Sequence, residues 1–178
     1  GSLYAPTLGT NHSGGTLNWN IPDISINSYG FFGGIESGTG VLNILQSLHW
    51  SGGEWRGSGQ TVLSNAATGT ITGSDKLLSE GRVITNNGTI TWDAGNLISC
   101  AGGFLVNNGL LTIANNNSFP TACSGNQGIT ISNNGTIERT TTGTTTFNTY
   151  SSFSNNGTIK GLGTFRFENT SLQQNGRI

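Results

Sequence analysis

The sequence predicts an all-β chain wound as a right-handed parallel β-helix, a β-solenoid of about 20–22 residues per coil. Three observations predict it: a recurring seven-residue phrase, the near-constant spacing of its copies, and apolar residues at fixed offsets around each copy. The phrase reads Ile84-Thr-Asn-Asn-Gly-Thr-Ile90, Leu105-Val-Asn-Asn-Gly-Leu-Leu111, Ile131-Ser-Asn-Asn-Gly-Thr-Ile137, Phe153-Ser-Asn-Asn-Gly-Thr-Ile159 and Leu172-Gln-Gln-Asn-Gly-Arg-Ile178. A degenerate earlier copy is read over Leu63 to Ile71, with Gly69-Thr70-Ile71 as its tail. The shared glycines are then Gly69, Gly88, Gly109, Gly135, Gly157 and Gly176, spaced 19, 21, 26, 22 and 19 residues apart. Three short strands at about 3.3 Å per residue, with three turns, consume about 20 residues before the chain returns one rung higher. The longest repeat sheds its extra residues as a loop. A leucine-rich pattern is missing, and helical repeats need longer periods and helix formers. Thr, Val, Ile and aromatic residues favour strand instead.

The phrase itself predicts a corner. The residue two before each Asn pair is apolar, as is the residue two after each Gly, so stacking makes two inward columns on either side of the turn. Asn-Asn-Gly suits a turn because Gly adopts φ > 0 freely and Asn tolerates the left-handed region. Asparagines at one position in successive coils can bond to their copies above and below, which satisfies amides that would otherwise be buried unpaired. The predicted ladder residues are Asn86, Asn87, Asn107, Asn108, Asn133, Asn134, Asn155, Asn156 and Asn175. Unrelated hairpins, the other use of Asn-Gly, predict neither the period nor the columns.

Around this array, residues 1–39 read as an irregular N-terminal cap or entry coil, and 40–178 as the coils proper, open at the C-terminal end. Strand-like pieces at Val41 to Leu45, Leu48 to Trp50, Trp55 and Thr61 to Leu63 open the regular part. Gly143-Thr-Thr-Thr-Phe147 and Gly163-Thr-Phe-Arg-Phe167, 20 residues apart, predict a further stacked pair. The chain has no Met and stops at Ile178 in mid-coil, so it reads as a processed product or excised fragment. Its last rung is expected to meet further coils or another copy. Gly1-Ser2 is set aside as a cloning remnant.

Gly, Thr, Asn and Ser make up 95 of the 178 residues, while charged residues are only 8%, with 7 basic against 8 acidic. That balance lacks the basic stripe of a nucleic-acid binder and the basic patch of a surface held to anionic lipid. No apolar run approaches the ~18 residues of a spanning helix. A thin, elongated core fits the composition better than a compact globule.

The stretch Leu48-His-Trp-Ser-Gly-Gly-Glu-Trp-Arg-Gly-Ser-Gly resembles a Trp-Ser/Thr-Gly-Gly-x-Trp-x-Gly-x-Gly phrase of bacterial extracellular β-strand-repeat proteins. In those proteins a Leu-rich strand and several Asn-x-Gly-Thr phrases follow. Here Lys76-Leu-Leu-Ser-Glu-Gly-Arg, Asn87-Gly-Thr-Ile-Thr-Trp92, Asn134-Gly-Thr and Asn156-Gly-Thr stand in that order. The resemblance covers about 40–178 and implies a large, secreted or surface-anchored, adhesin-like solenoid. Filamentous-haemagglutinin-like adhesins and polysaccharide lyases share the general fold, so the fold does not choose a function.

Few residues point to chemistry. Cys100 and Cys123 lie 12 and 14 residues past their glycines, in equivalent parts of neighbouring coils, which predicts a disulfide between rungs and an oxidising, extracellular setting. Two cysteines with only His12 and His49 do not make a structural zinc site. The carboxylates Asp23, Glu36, Glu54, Asp75, Glu80, Asp93, Glu138 and Glu168 are single and scattered, whereas glycosidases need a facing pair. No metal or other cofactor is expected, and Glu138-Arg139 with Lys160 reads as a surface ion pair. Trp50 and Trp55 are the candidate carbohydrate-stacking indoles, flanking Ser51-Gly-Gly-Glu54, whereas Trp92 alternates inward with Ile90. An ice-binding Thr array is spoiled by Leu110 and Arg177 among Thr89, Thr136 and Thr158. Sequons at Asn11, Asn87, Asn116, Asn134, Asn156 and Asn169 matter only in a eukaryotic host.

The expectation is therefore a non-catalytic extracellular solenoid segment, a structural stalk, adhesin or filament unit whose partners are neighbouring coils or its own copies end to end. The alternative is a carbohydrate-binding module near Trp50 and Trp55 that takes a polysaccharide. The third reading is part of a polysaccharide-degrading enzyme.

Overall fold

The computed structural model describes residues 3–120, 127–148 and 151–178. Among them there is no helix, and parallel strands stack as a β-solenoid of about eight turns. The first three coils hold β1 (Leu3–His12) and β2 (Thr16–Asn18), β3 (Asp23–Phe31) and β4 (Ile35–Ser37), and β5 (Val41–Trp50) and β6 (Glu54–Trp55). The next two hold β7 (Gln60–Leu63), β8 (Thr68–Ile71) and β9 (Lys76–Leu78), then β10 (Val83–Asn86), β11 (Thr89–Trp92) and β12 (Leu97–Ile98). Above these come β13 (Gly103–Asn107) and β14 (Leu110–Ile113), then β15 (Ile129–Asn133), β16 (Thr136–Arg139) and β17 (Thr144–Phe147). The top is β18 (Ser152–Asn155), β19 (Thr158–Gly161), β20 (Thr164–Phe167) and β21 (Ser171–Gln174).

Three faces result. The first carries the leading halves of β1, β3 and β5, then β7, β10, β13, β15, β18 and β21. The second carries the trailing halves of those three long strands, then β8, β11, β14, β16 and β19. The third holds β2, β4, β6, β9 and β12, and above them β17 with β20, in the register foreseen from the two Gly-Thr phrases.

Alternation decides what lies inside. The two predicted columns are there for four copies: Ile84, Leu105, Ile131 and Phe153 pair rung to rung on the first face, and Ile90, Leu111, Ile137 and Ile159 on the second, all buried, whereas Leu172 and Ile178 of the last copy are exposed on the final rung. Aromatic rings fill the rest of the thin core. His12, Phe31 and Trp50 occupy one register position on successive rungs and stack at 5.4 and 6.5 Å. Phe119, Phe147 and Phe167 form a second stack, with centroids 4.7 and 4.8 Å apart.

The degenerate copy of the repeat aligns differently from the sequence reading. Gly69 faces Ile90, in the core column, and Ala67 lies beneath Gly88. Four residues, Ser64 to Ala67, make the corner in this coil where Asn87 and Gly88 make it above, so a match on Gly-Thr-Ile is two residues out of register. Gly69 has no side chain because Ile90 and Leu63 occupy its place, within 3.0 Å of where a Cβ would stand.

The reason for glycine at the repeated corner also differs. None of Gly88, Gly109, Gly135, Gly157 and Gly176 has a positive φ. Each instead lies against the carbonyl oxygen of the residue one rung below, leaving no room for a Cβ. Left-handed glycines occur at the second-to-third-face corner, as at Gly53 (φ 87°), Gly73 (φ 69°) and Gly95 (φ 72°).

Gly109→Ala is expected to destabilise by more than about 3 kcal/mol, because a Cβ there meets backbone that cannot swing away. Gly14→Ala, where a Cβ meets nothing within 4 Å, should be near neutral. Urea titrations of the two variants check this.

Candidate functional site

The corner asparagines form two ladders. In the inner one, Asn86, Asn107 and Asn133 each donate from Nδ2 to the Oδ1 of the asparagine one coil up, at 2.8, 2.7 and 2.6 Å, and Asn155 donates to Gln174 Oε1 at 3.1 Å. The second amide hydrogen goes to a backbone carbonyl of the coil above, as from Asn107 to Thr136 at 2.9 Å. A carbonyl only accepts, so this contact fixes which end of each carboxamide is nitrogen. All four inner asparagines are buried.

The outer ladder runs Asn87, Asn108, Asn134, Asn156, Asn175, with spacings of 2.9, 3.0, 3.3 and 3.1 Å. Its donors point the opposite way, toward the coil below, so the amide dipoles of the two ladders oppose each other. The inner ladder starts at Asn86 because Leu63 holds that register position one coil down. Asn86 Oδ1 accordingly finds no donor among the described residues.

Trp50 and Trp55 are core residues, 1% and 0% exposed, with rings 5.2 Å apart and nearly parallel. The Gly52-Gly53 turn folds β6 back so that both indoles face inward, and Trp50 Nε1 donates to the Gly52 carbonyl at 3.0 Å. This corrects the expectation of an exposed platform at these positions: no ring face is left for a sugar. Trp92 is buried, as alternation requires. Cys100 follows β12, and its expected partner Cys123 lies outside the described residues.

The carboxylates stand apart. Glu138 pairs with Lys160 at 3.4 Å on the surface, Glu54 accepts from Ser79 Oγ at 2.6 Å, and Asp75 accepts from the Asn96 backbone at 2.7 Å. Among the described residues no three His, Cys, Asp or Glu side chains gather as metal ligands. Arg139 leaves the expected surface pair. It points inward at the register position of Trp92 and Ile113, where it bonds Thr145, Asn116 and Thr141.

Three more charges lie inside. Glu36 is 1% exposed, accepts from Trp19 Nε1, and sits 2.7 Å from His12 Nδ1. Burial raises its pKa, and the Trp19 and His12 bonds oppose the rise. His12 Nε2 lies 2.7 Å from the Gly14 carbonyl, which only accepts, so this ring nitrogen is the donor, and the ring joins Glu36 to the coil below. Arg82 lies over Trp55, donates to Thr61 Oγ1 at 2.7 Å, and is held below its ordinary pKa by burial, with Glu36 countering. Lys76 donates to the carbonyls of Ser74 and Ala94, and burial brings its pKa down to about 8 while Asp75 pulls it up. His12, Glu36 and Lys76 follow the alternation of their strands and Arg82 stands just before β10, placements that composition does not reveal.

The outer surface is concave where coils one to four bend from the first face to the second. In β1, β3 and β5 this bend is made within a continuous strand, with register irregularities at Ala5/Gly9 and Ile26/Ser28, instead of at a tight corner. The resulting groove, about 360 Å³, is lined by outward side chains of four successive rungs, among them Asn11, Ser28, Phe32, Ser47, His49 and Thr70. Gly9 and Gly30 add no side chain to it. Phe32 is 44% exposed and lies over Gly30, with its ring 5.3 Å from that of His49. Thr70 Oγ1 (2.9 Å) and Thr72 Oγ1 (3.4 Å) fix the His49 ring from either side. Sequence reasoning missed this site because its residues come from segments 17 to 21 residues apart that share no phrase.

In comparisons with known proteins, no family model, no curated protein and no solved structure matches the chain.

Asn107→Ala removes ladder bonds on both sides and strands buried amide groups, which should cost about 2–4 kcal/mol. Asn108→Ala, on the exposed outer ladder, should cost less than about 1 kcal/mol. Denaturant midpoints compare them. A second expectation concerns pH. The Lys76 pKa is lower folded than unfolded, so the unfolded chain binds more protons between pH ~8 and ~10.5 and stability rises over that range. Urea midpoints measured from pH 7.5 to 9.5 should climb, and Lys76→Met should flatten the climb.

Proposed function

We propose that this chain is a non-catalytic structural segment of an extracellular surface or matrix protein, serving as a stalk, adhesin body or filament unit. The observation that carries the reading is the pair of asparagine ladders running unbroken through the upper coils. In the upper coils each rung is joined to its neighbours by backbone and side-chain amide bonds, and stacked rings join rungs in the lower and top coils, so the body is stiff along its axis while each coil depends only on adjacent ones. Scarce charge and abundant Thr, Ser and Asn give a surface that is polar without strong fields. The resemblance of Trp50-Ser-Gly-Gly-Glu-Trp55 and the Asn-Gly-Thr phrases to bacterial extracellular repeat proteins supports an adhesin-like setting, and a Cys100–Cys123 bridge fits an oxidising one. Its partners in this reading are further solenoid coils or copies of itself end to end.

Pulling the chain from its two ends in an optical trap tests this reading. A structural segment should yield coil by coil in discrete steps, and polysaccharides incubated with it should keep their length. Collapse in one low-force event, or shortening of a polysaccharide by the purified chain, would overturn the proposal.

A further inference from the structure

We infer that the groove over coils one to four is a binding site for a short neutral saccharide, with Phe32 as its stacking surface and the side chains around it as hydrogen-bond partners. The inference does not rest on the structural reading above, and it places sugar contact away from the two core indoles.

Four observations carry it. The groove combines one exposed ring with a close surround of hydroxyl and carboxamide groups, on Asn11, Ser28, Ser47 and Thr70. A sugar offers the matching pair of surfaces, an apolar C–H face and a rim of hydroxyls. A purely apolar ligand would cover those polar groups without pairing them, at about 1–3 kcal/mol each. Secondly, no described lining residue carries a carboxylate, ammonium or guanidinium group, so a charged polymer would find no counter-charge.

Thirdly, the floor is a parallel sheet. β3 and β5 within it are paired on both sides, so an extended peptide could add only along the outer edge of β1, at the rim of the groove and not on its floor. Recognition there must pass through side chains. Fourthly, the site is held in shape before any ligand arrives. His49 is fixed by two threonines, Ser47 Oγ donates to Ser28 Oγ at 2.8 Å, and a Cβ on Gly30 would run into the Phe32 ring and the Asn11 carboxamide. Its volume, about 360 Å³, lies at the small end of ligand clefts and suits one or two sugar units.

The test is calorimetric titration of the full chain, made in a bacterial host so that Asn11 is unmodified, with neutral gluco-, galacto-, manno- and xylo-oligosaccharides and with uronate oligomers of equal length. At least one neutral series should bind, the uronates should not bind more tightly, and the His49 ring resonances should move on saturation. Phe32→Ala should weaken binding about tenfold or more, a loss expected for a single stacking ring and its ordered surround. Phe104→Ala, which removes another exposed ring on the first face, should leave binding unchanged, and circular dichroism should show both variants folded. Absence of binding by every neutral series, retention of affinity in Phe32→Ala, or equal loss in Phe104→Ala would overturn the inference.

Discussion

A carboxamide buried at a corner has two hydrogens and an acceptor to place, and water is not there to take them. In this chain the inner asparagines solve that problem with one another. Asn107 and Asn133 have an identical side chain one coil above and below, in register, while the end members meet Leu63 below Asn86 and Gln174 above Asn155. The ladder therefore converts a local requirement, a polar group at a turn, into a long-range one. A slip of one residue would put the carboxamide outside, bring a Thr or Val inside, and strand the neighbouring amides. The columns of Ile, Leu and Phe beside it supply apolar burial, but apolar contacts tolerate sliding in a way that hydrogen bonds do not. The glycines at the corner work with the ladder, because only without a Cβ can successive rungs come close enough for 2.6–2.8 Å amide contacts.

Below Asn86 the same body is held differently. Leu63 takes the ladder position, the corner lengthens to four residues, and in the first three coils it gives way to a bend within a continuous strand. Stacked rings and buried charges take over there. His12, Phe31, Trp50 and Trp55 form one aromatic column, and Glu36 binds His12 and Trp19 across coils. Burying Glu36 and Arg82 in the same core reduces the cost of either alone, since each counters the desolvation of the other. The bend that replaces the corner also opens the outer surface, and the groove that carries Phe32 lies there.

What could be read from the sequence follows from these two modes. Where the corner is tight, the repeat is written in adjacent residues, and period, inward columns and ladder members were all legible. Where it is a bend, the repeat survives only as parity along strands. Trp50 shares parity with Leu48 and Leu42, and Arg139 shares it with Ile137, so both turn inward. Residue type misleads at those positions, since an indole near a Gly-Gly turn and an arginine beside a glutamate both read as surface groups. Gly69 shows the converse error, a matched triplet two residues out of register. Phe32 and His49 meet only because rungs one to four align, and no local phrase announces that alignment.

The central claim is that inner amides are locked in a ladder and outer ones exchange with solvent. Side-chain amide hydrogen exchange, followed by NMR on uniformly labelled protein, measures it directly. The Nδ2 hydrogens of Asn107 and Asn133 should be as protected as the backbone of β13 and β15, while those of Asn108 and Asn134 should exchange rapidly. Fast exchange at all four would contradict it, because the inner carboxamides would then be in water and the register would rest on apolar packing alone.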